Sequence, residues 1–556
     1  MKSRSHRKQQ TAGAGSAAGV QPDQTPLGLA DTVSQSLVNI RTELAGSPDL
    51  KIRRVRIGSE ARTEAAAVHL SGLADPAAVN EFVMGSLLGH SSDLSQGIPA
   101  GSGRDGRDAD ASGHEELLLR LILSRALEIG DADLQEDWKE LLLAILSGDT
   151  VILLEGSKAA IVCGTRGGEQ RAVSEPSSQL VIRGPKDGFV ESAATNISLI
   201  RRRIRSPRLY LEAMKLGSET QTHVVLMYMK GIAGEDLIRE ARKRLAQIQL
   251  DEVLESGYIE ELIQDKTFTP FPTIYNTERP DVAAGNLLEG RVVVIIDGTP
   301  FVLILPAVFT QFFQSAEDYS QRFDIVILMR LVRYLSFLVL ILGPSVYLAL
   351  TTYHYEMIPT TLLINLLSQR ENVPFPAFVE LLLMETAFEI LREAGVRMPR
   401  AIGQTVSVVG ALILGTAVVE AGIITPIMVI VVALTGIASF AIPAYDMAIA
   451  GRIIRFAFLI LASLFGFYGI TLGLILLVAH MNSLRSFGVP YLFPIIPLSV
   501  KGQKDTFLRL PLWVSGPDKP PEQLRKELPE YAQLSTGHRE QMAPLIRRTE
   551  EDQHEE

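Results

Sequence analysis

Two hydrophobic patterns divide the chain. Up to about residue 323, apolar runs are short and broken by Gly, Pro, Asn and Asp, which is the pattern of strands and amphipathic helices joined by turns. Beyond that point long apolar stretches follow one another. Tyr334–Leu350, Val406–Val419, Ile423–Ile442 and Phe456–Val478 each come close to the roughly 20 residues that a helix needs to cross a bilayer. Gly410, Gly415, Gly436, Ala438, Gly466, Gly469 and Gly473 stud these stretches, and small residues permit close helix contact in lipid. Arg330 and Arg333 precede the first stretch, and Arg485, Lys501 and Lys504 follow the last, which predicts flanks on the cytoplasmic side. The run Val292–Phe309 is apolar too, but Asp297-Gly298-Thr299-Pro300 in its middle predicts a hairpin, because a turn and a carboxylate in lipid leave polar groups unpaired.

Residues 357–391 fit two patterns. An apolar helix begins after Pro359, Pro374 and Pro376 interrupt it, and a second piece carries Glu380, Glu385 and Glu389 among Leu, Met and Phe. At about 100° per residue the three carboxylates share one half of the helix. They suit either an amphipathic helix at an interface or an acidic wall along a water-filled cation path.

The first half repeats itself. Gly58-Ser59-Glu60 matches Gly217-Ser218-Glu219, and at the same offset of 159 residues Thr63 meets Thr222, Gly72 meets Gly231 and Glu81 meets Glu240. A second pair, Gly148–Gly156 and Gly290–Gly298, matches at an offset of 142. Each copy reads as turn, strand, glycine, helix, and closes with a hairpin. The predicted fold is therefore an α/β N-terminal half of two tandem related subdomains, followed by an α-helical multi-pass transmembrane domain. The predicted boundaries are a disordered arm (1–32), subdomains at 33–194 (with a mobile loop, 91–113) and 195–323, the transmembrane domain (324–485), and a polar, partly disordered cytoplasmic tail (486–556).

Composition narrows the function. A formal charge of −10 argues against a nucleic-acid binder. The single cysteine, Cys163, lies in an apolar run and reads as a buried small side chain. No secretory signal is visible, which predicts that the soluble half stays in the cytoplasm. There is no Walker loop, no dinucleotide-binding glycine fingerprint, no His-Glu-x-x-His and no Gly-x-Ser-x-Gly, so no catalytic, cofactor-binding or metal-binding residues are predicted and an enzyme is not expected. Arg201-Arg202-Arg203 could bind anions, but as a charge run on a helix it fits a solvated face or an ion-paired subunit contact better.

Several blocks resemble the A subunits of bacterial spore germinant receptors, the GerA family. They include Val181–Glu191 running on through Ile204, Leu254–Ile263, Asn276–Val282, Leu287–Arg291, Asp297–Tyr319, Pro374–Ala377 and Glu380–Gly395, within a resemblance that covers roughly residues 33–514. One departure is Gln179, where the family pattern leads one to expect an acidic residue. The resemblance implies a multi-pass subunit in the spore inner membrane, working with a permease-like B-type subunit and a lipoprotein C-type subunit to turn nutrient detection into cation release. On this reading A subunits form a homo-oligomer, and Glu380, Glu385 and Glu389 line its cation path. The rival readings are a non-conducting scaffold that relays the signal to a separate channel, and a stand-alone relative that amplifies ion release.

Overall fold

The computed structural model describes residues 28–57, 63–89, 119, 122–123, 131–167, 175–176, 178–371, 373–399, 410, 413–498, 505–506 and 509–511. Most of the arm, all of the 91–113 loop, most of the tail, the Gly58-Ser59-Glu60 turn and the first part of the Val406–Val419 stretch lie outside the described residues.

The N-terminal half is two five-stranded antiparallel sheets of identical design. In the first, β1 (Leu50–Ile57), β2 (Thr63–Leu70), β3 (Ala132–Gln135), β4 (Thr150–Leu154) and β5 (Ala160–Cys163) lie in the order β1-β2-β4-β5-β3. In the second, β6 (Leu209–Leu216), β7 (Thr222–Met229), β8 (Tyr275–Thr277), β9 (Val292–Ile296) and β10 (Val302–Leu305) lie in the order β6-β7-β9-β10-β8. The register repeats as well: Ala65 pairs with Leu154 in the first sheet, and their counterparts at the two sequence offsets, Val224 and Ile296, pair in the second. The central strands β4 and β9 read Thr-Val-Ile-Leu-Leu and Val-Val-Val-Ile-Ile and are buried at every position. That explains their unbroken apolar character, and the Val292–Phe309 run is the β9–β10 hairpin with the 3-10 turn after it, as its central turn predicted.

Helices cover the sheets in the same order. The first module has α1 (Val33–Glu43) and α2 (Trp138–Ser147), with a wide-turned helix at Ala78–Gly85. The second has α3 (Ala193–Arg203), α4 (Glu235–Ala246), α5 (Ser256–Ile263) and α6 (Pro280–Leu288). Side chains that accept from backbone N–H groups start several of these: Thr32 caps α1, Asp137 caps α2 and Ser192 caps α3. One glycine is required at the same place in each copy. Gly148 and Gly290 have φ of +100° and +89°, and a Cβ there would lie 2.6 Å from the carbonyl of Leu73 and 2.9 Å from that of Ile232. Only a residue without a side chain lets the helix end and the strand pass so close to that turn.

The C-terminal half is helical: α7 (Phe323–Thr352), α8 (Thr360–Arg370), α9 (Ala377–Arg397), α10 (Pro426–Phe440) and α11 (Tyr445–Ser483). α7 and α11 are long and apolar enough to cross a membrane. The structure corrects the expectation of one straight span over Phe456–Val478. Gly466, at φ 56° and ψ −136°, breaks the helix, and a Cβ at Gly473 would lie 2.8 Å from the ring of Phe458. In a continuous helix those two residues would be about 22 Å apart. The chain folds back on itself, and both ends return to the second module, where Asp446 accepts from Asn276 (2.8 Å) and His480 bonds Thr269 (2.9 Å). The tip of this hairpin meets the end of α7 at Tyr353 and His354.

After the hairpin the chain docks back on the second module. Ser486 donates to the carbonyl of Thr273 (2.6 Å), Phe487 enters the core between the sheet and α4, and Tyr491 is fully buried beside Phe271, Phe309 and Phe312. These aromatic rings continue through Phe313 to Phe337 of α7, so one apolar core runs from the second sheet into the helices.

Candidate functional site

Charged side chains buried inside the helical bundle are costly unless paired, so they mark its functional ground. α9 and the first limb of α11 face each other through such a layer. Arg455 reaches Glu385 at 2.8 Å and Glu389 at 3.0 Å, and Arg452 bonds the other oxygen of Glu389 at 2.7 Å. Glu380 Oε1 accepts from the backbone N–H and the hydroxyl of Thr425, both at 2.6 Å. Glu380, Glu385 and Arg455 are 1%, 0% and 1% exposed, as dry as the core around them, while Glu389 and Arg452 are half-buried. Arg392 completes it, donating to Ser439 at 2.7 Å with its guanidinium over the rings of Phe388 and Phe440. The hydrogen bonding is incomplete: Glu380 Oε2 and the Nε and Nη1 of Arg455 have no hydrogen-bond partner.

The structure thus brings Glu380, Glu385 and Glu389 to one layer and adds Arg392, Arg452, Arg455 and Thr425, which sequence reading passed over. The available signal was two arginines three residues apart, Arg452 and Arg455, inside an apolar helix.

A second charged layer joins helices to module. Asp318, caught in a short capped turn, accepts from Arg330 (3.0 Å) and Arg333 (2.8 Å), and all three are buried. Arg330 also donates to the backbone and side chain of Asp505, and Arg509 donates to the carbonyls of Asp318 and Gln321. The arginines expected to flank the first apolar stretch are therefore buried anchors between α7, the preceding turn and the segment around residue 505.

The triplet Arg201-Arg202-Arg203 at the end of α3 is held within the chain. Arg201 is buried and clamps the two modules, with Nε 2.5 Å from Asp49 Oδ2 and Nη2 2.8 Å from Ser47 Oγ. Arg202 donates to the carbonyl of Gly167, also across the module boundary, and Arg203 pairs with Asp187.

Where the second module meets the hairpin there is a cavity of about 330 Å3, lined by Glu255, Glu260, Tyr275, Phe312, Tyr445 and Asp446 among others. Burial and then the nearby Asp446 carboxylate push Glu260 up to about 7, against the pull of a hydrogen bond from Asn276. Gln179 closes the rim, accepting from Thr277 at 2.6 Å while its own carbonyl accepts from Arg279. Among the described residues, no group of three or more His, Cys, Asp or Glu side chains is placed to hold a metal. Burial pushes the Cys163 thiol up to about 12, so it stays protonated inside the first sheet.

Comparison with known proteins adds a lineage to this geometry. The profile of the "Bacillus/Clostridium GerA spore germination protein" family matches residues 38–520. The chain is 48% identical over 507 residues to Spore germination protein KA of Bacillus subtilis (strain 168), covering 91% of this chain and 89% of that one. It is 46% identical over 400 residues to a protein of the same organism named "Uncharacterized membrane protein YfkQ", covering 72% and 77%. Among solved structures, the N-terminal domain of the A subunit of the Bacillus megaterium spore germinant receptor GerK3 is 38% identical and covers 51% of this chain and 97% of that one, with a TM-score of 0.38.

Proposed function

This chain belongs to the GerA family of spore germination proteins, the A subunits of germinant receptors, and from that premise we propose that it is the oligomeric, ion-conducting component that starts cation release. The observation that carries the reading is the layer of Glu380, Glu385 and Glu389 against Arg392, Arg452 and Arg455, with Glu380, Glu385 and Arg455 buried. A bundle that only anchored the modules would gain more from apolar contacts at these positions, because desolvating a charge pair offsets most of its attraction. A layer of exchangeable ion pairs suits a path with a shut and an open state. In the shut state arginines neutralise Glu385 and Glu389. In the open state the carboxylates would face water and favour cations.

On this reading the bundle sits in the spore inner membrane as a multi-pass domain, with both modules on the cytoplasmic side. The two long apolar helices, and a close relative named as a membrane protein, support the membrane part. A permease-like B-type subunit and a lipoprotein C-type subunit are its partners, and nutrient binding by the receptor favours the open state only as far as it binds that state more tightly. Replacing Glu380, Glu385 and Glu389 together by Gln is expected to slow potassium release from germinating spores while the chain stays at its usual level in the membrane. Potassium release at the normal rate would reject the path assignment.

A scaffold that clusters receptor subunits is the second reading, and one observation favours it: Glu385 and Glu389 already have arginine partners inside a single chain. A scaffold predicts that swapping the charges of Arg455 and Glu385 preserves germination, whereas a cation path predicts that the swap impairs it.

A further inference from the structure

The two modules share a design but differ at their sheet edges. In the second module the β8 edge is occupied within the chain, by Gln179, whose side chain bonds Asn276 and Thr277, and by Asp446 at the start of the hairpin. Its other edge, β6, carries Glu212 and Lys215, with Glu212 paired to Arg242. In the first module, as in the second, no strand among the described residues pairs with the outer side of either edge strand, here β1 and β3.

Those two edges carry opposite charge. Lys51, Arg53, Arg54 and Arg56 all stand exposed on β1, and among the described residues Arg54 pairs with the half-buried Glu64. Asp131, Asp133 and Glu136 stand exposed along β3. Charges on an edge strand commonly serve to prevent edge-to-edge association. One sign on each edge does something more selective. It repels β1 from a second β1 and β3 from a second β3, and leaves the mixed pairing as the favoured one.

We infer that copies of this chain associate head to tail through the first module, with the basic β1 edge of one copy lying along the acidic β3 edge of the next. Every neighbouring pair in the five-stranded sheet is antiparallel, so β1 and β3 point the same way. Copies repeated side by side therefore bring the two edges together as parallel neighbours, extending one sheet across the subunit boundary. Such a heterologous contact closes into a ring when the rotation between copies divides a full turn. The β3 edge is short, with four residues against the eight of β1, so charge and not the length of the ladder supplies the selectivity. This inference deepens the oligomeric reading above and holds whether or not the assembly conducts.

The test uses the full chain in detergent, with Cys163 replaced by Ser. A chain carrying both R53C and D133C should give a ladder of disulfide-linked multimers on a non-reducing gel, while chains with either cysteine alone stay monomeric. Adding K51E and R56E to the double-cysteine chain should lower the ladder at least roughly tenfold, since like charges juxtaposed across an interface cost several kcal/mol. Adding D131K and E136K on top should restore it, which also shows that the reversed chain still folds. A disulfide-linked dimer from R53C alone would mean a two-fold contact and overturn the inference. So would a ladder indifferent to charge reversal, or one lost and not restored by the compensating pair. A restored ladder in a chain that carries no cation flux leaves the interface standing and removes only the conducting reading.

Discussion

Replacing Arg201 with Ala removes the clamp between the modules, and its cost can be worked out in advance. Arg201 is 1% exposed and makes three bonds to the first module: to Asp49 at 2.5 and 3.2 Å, and to Ser47 at 2.8 Å. Its removal leaves Asp49 buried opposite an empty space. Breaking a buried pair from one side costs about 3–5 kcal/mol, because the remaining charge keeps its desolvation penalty and loses its partner. A unit of 150–250 residues loses about 2–4 °C of melting temperature per kcal/mol, so R201A is expected to lower the melting of the first module by roughly 10 °C. Trp138 on α2, which packs against α3, reports this unfolding by fluorescence in a W513F chain. R201K should fall between wild type and R201A, since it keeps the charge and loses the two-pronged geometry. R201M with D49L should come back close to wild type, because neither charge is then buried alone. An R201A chain that melts within about 1 °C of wild type, where the single substitution costs almost nothing, would refute the clamp.

Other expectations follow from single sites. Glu260 is held up to about 7 in the fold against an ordinary value of 4.5, so between those values the folded chain keeps a proton that the unfolded chain has released. Stability therefore falls as the pH rises through that window and levels off above it, and E260Q should flatten the profile measured by urea unfolding. G148A and G290A should each destabilise their own module by more than about 1 kcal/mol and by similar amounts, because both place a Cβ against a backbone carbonyl at positive φ. G466V should disrupt the α11 hairpin, since a side chain there would lie 2.9–3.1 Å from Tyr353 and His354 in a backbone conformation left to glycine. Loss of the folded protein in detergent-solubilised membranes, read by size-exclusion profile, checks this.

Much of the N-terminal half was legible because its signals are local. Turn glycines and short β-branched runs recur at two offsets, and each strand of the first sheet has its counterpart at one of them. The Val292–Phe309 run could be separated from a membrane helix by the turn Asp297-Gly298-Thr299-Pro300 and by its match in the first copy. The C-terminal half hid what depends on distance in sequence. Gly466 looked like one more small residue at a helix contact, since nothing local distinguishes a packing glycine from one at a reversal. Arg201 looked like part of a solvated basic face or a subunit contact, because its partner Asp49 lies 152 residues away. Glu385 and Arg455 could each be seen as charges in apolar surroundings, but their pairing needs the fold that brings α9 against α11.

The central proposal, that this chain carries cations through its own bundle, is tested most directly by flux into liposomes. Purified chain reconstituted alone, with potassium trapped inside and a potassium-sensitive dye outside, should release the ion, either spontaneously or once the Glu385–Arg455 pair is weakened by R455Q. The release should fall when Glu380, Glu385 and Glu389 are all Gln. Vesicles that hold their potassium with the wild-type chain and with R455Q alike, although both are inserted and assembled, would contradict it.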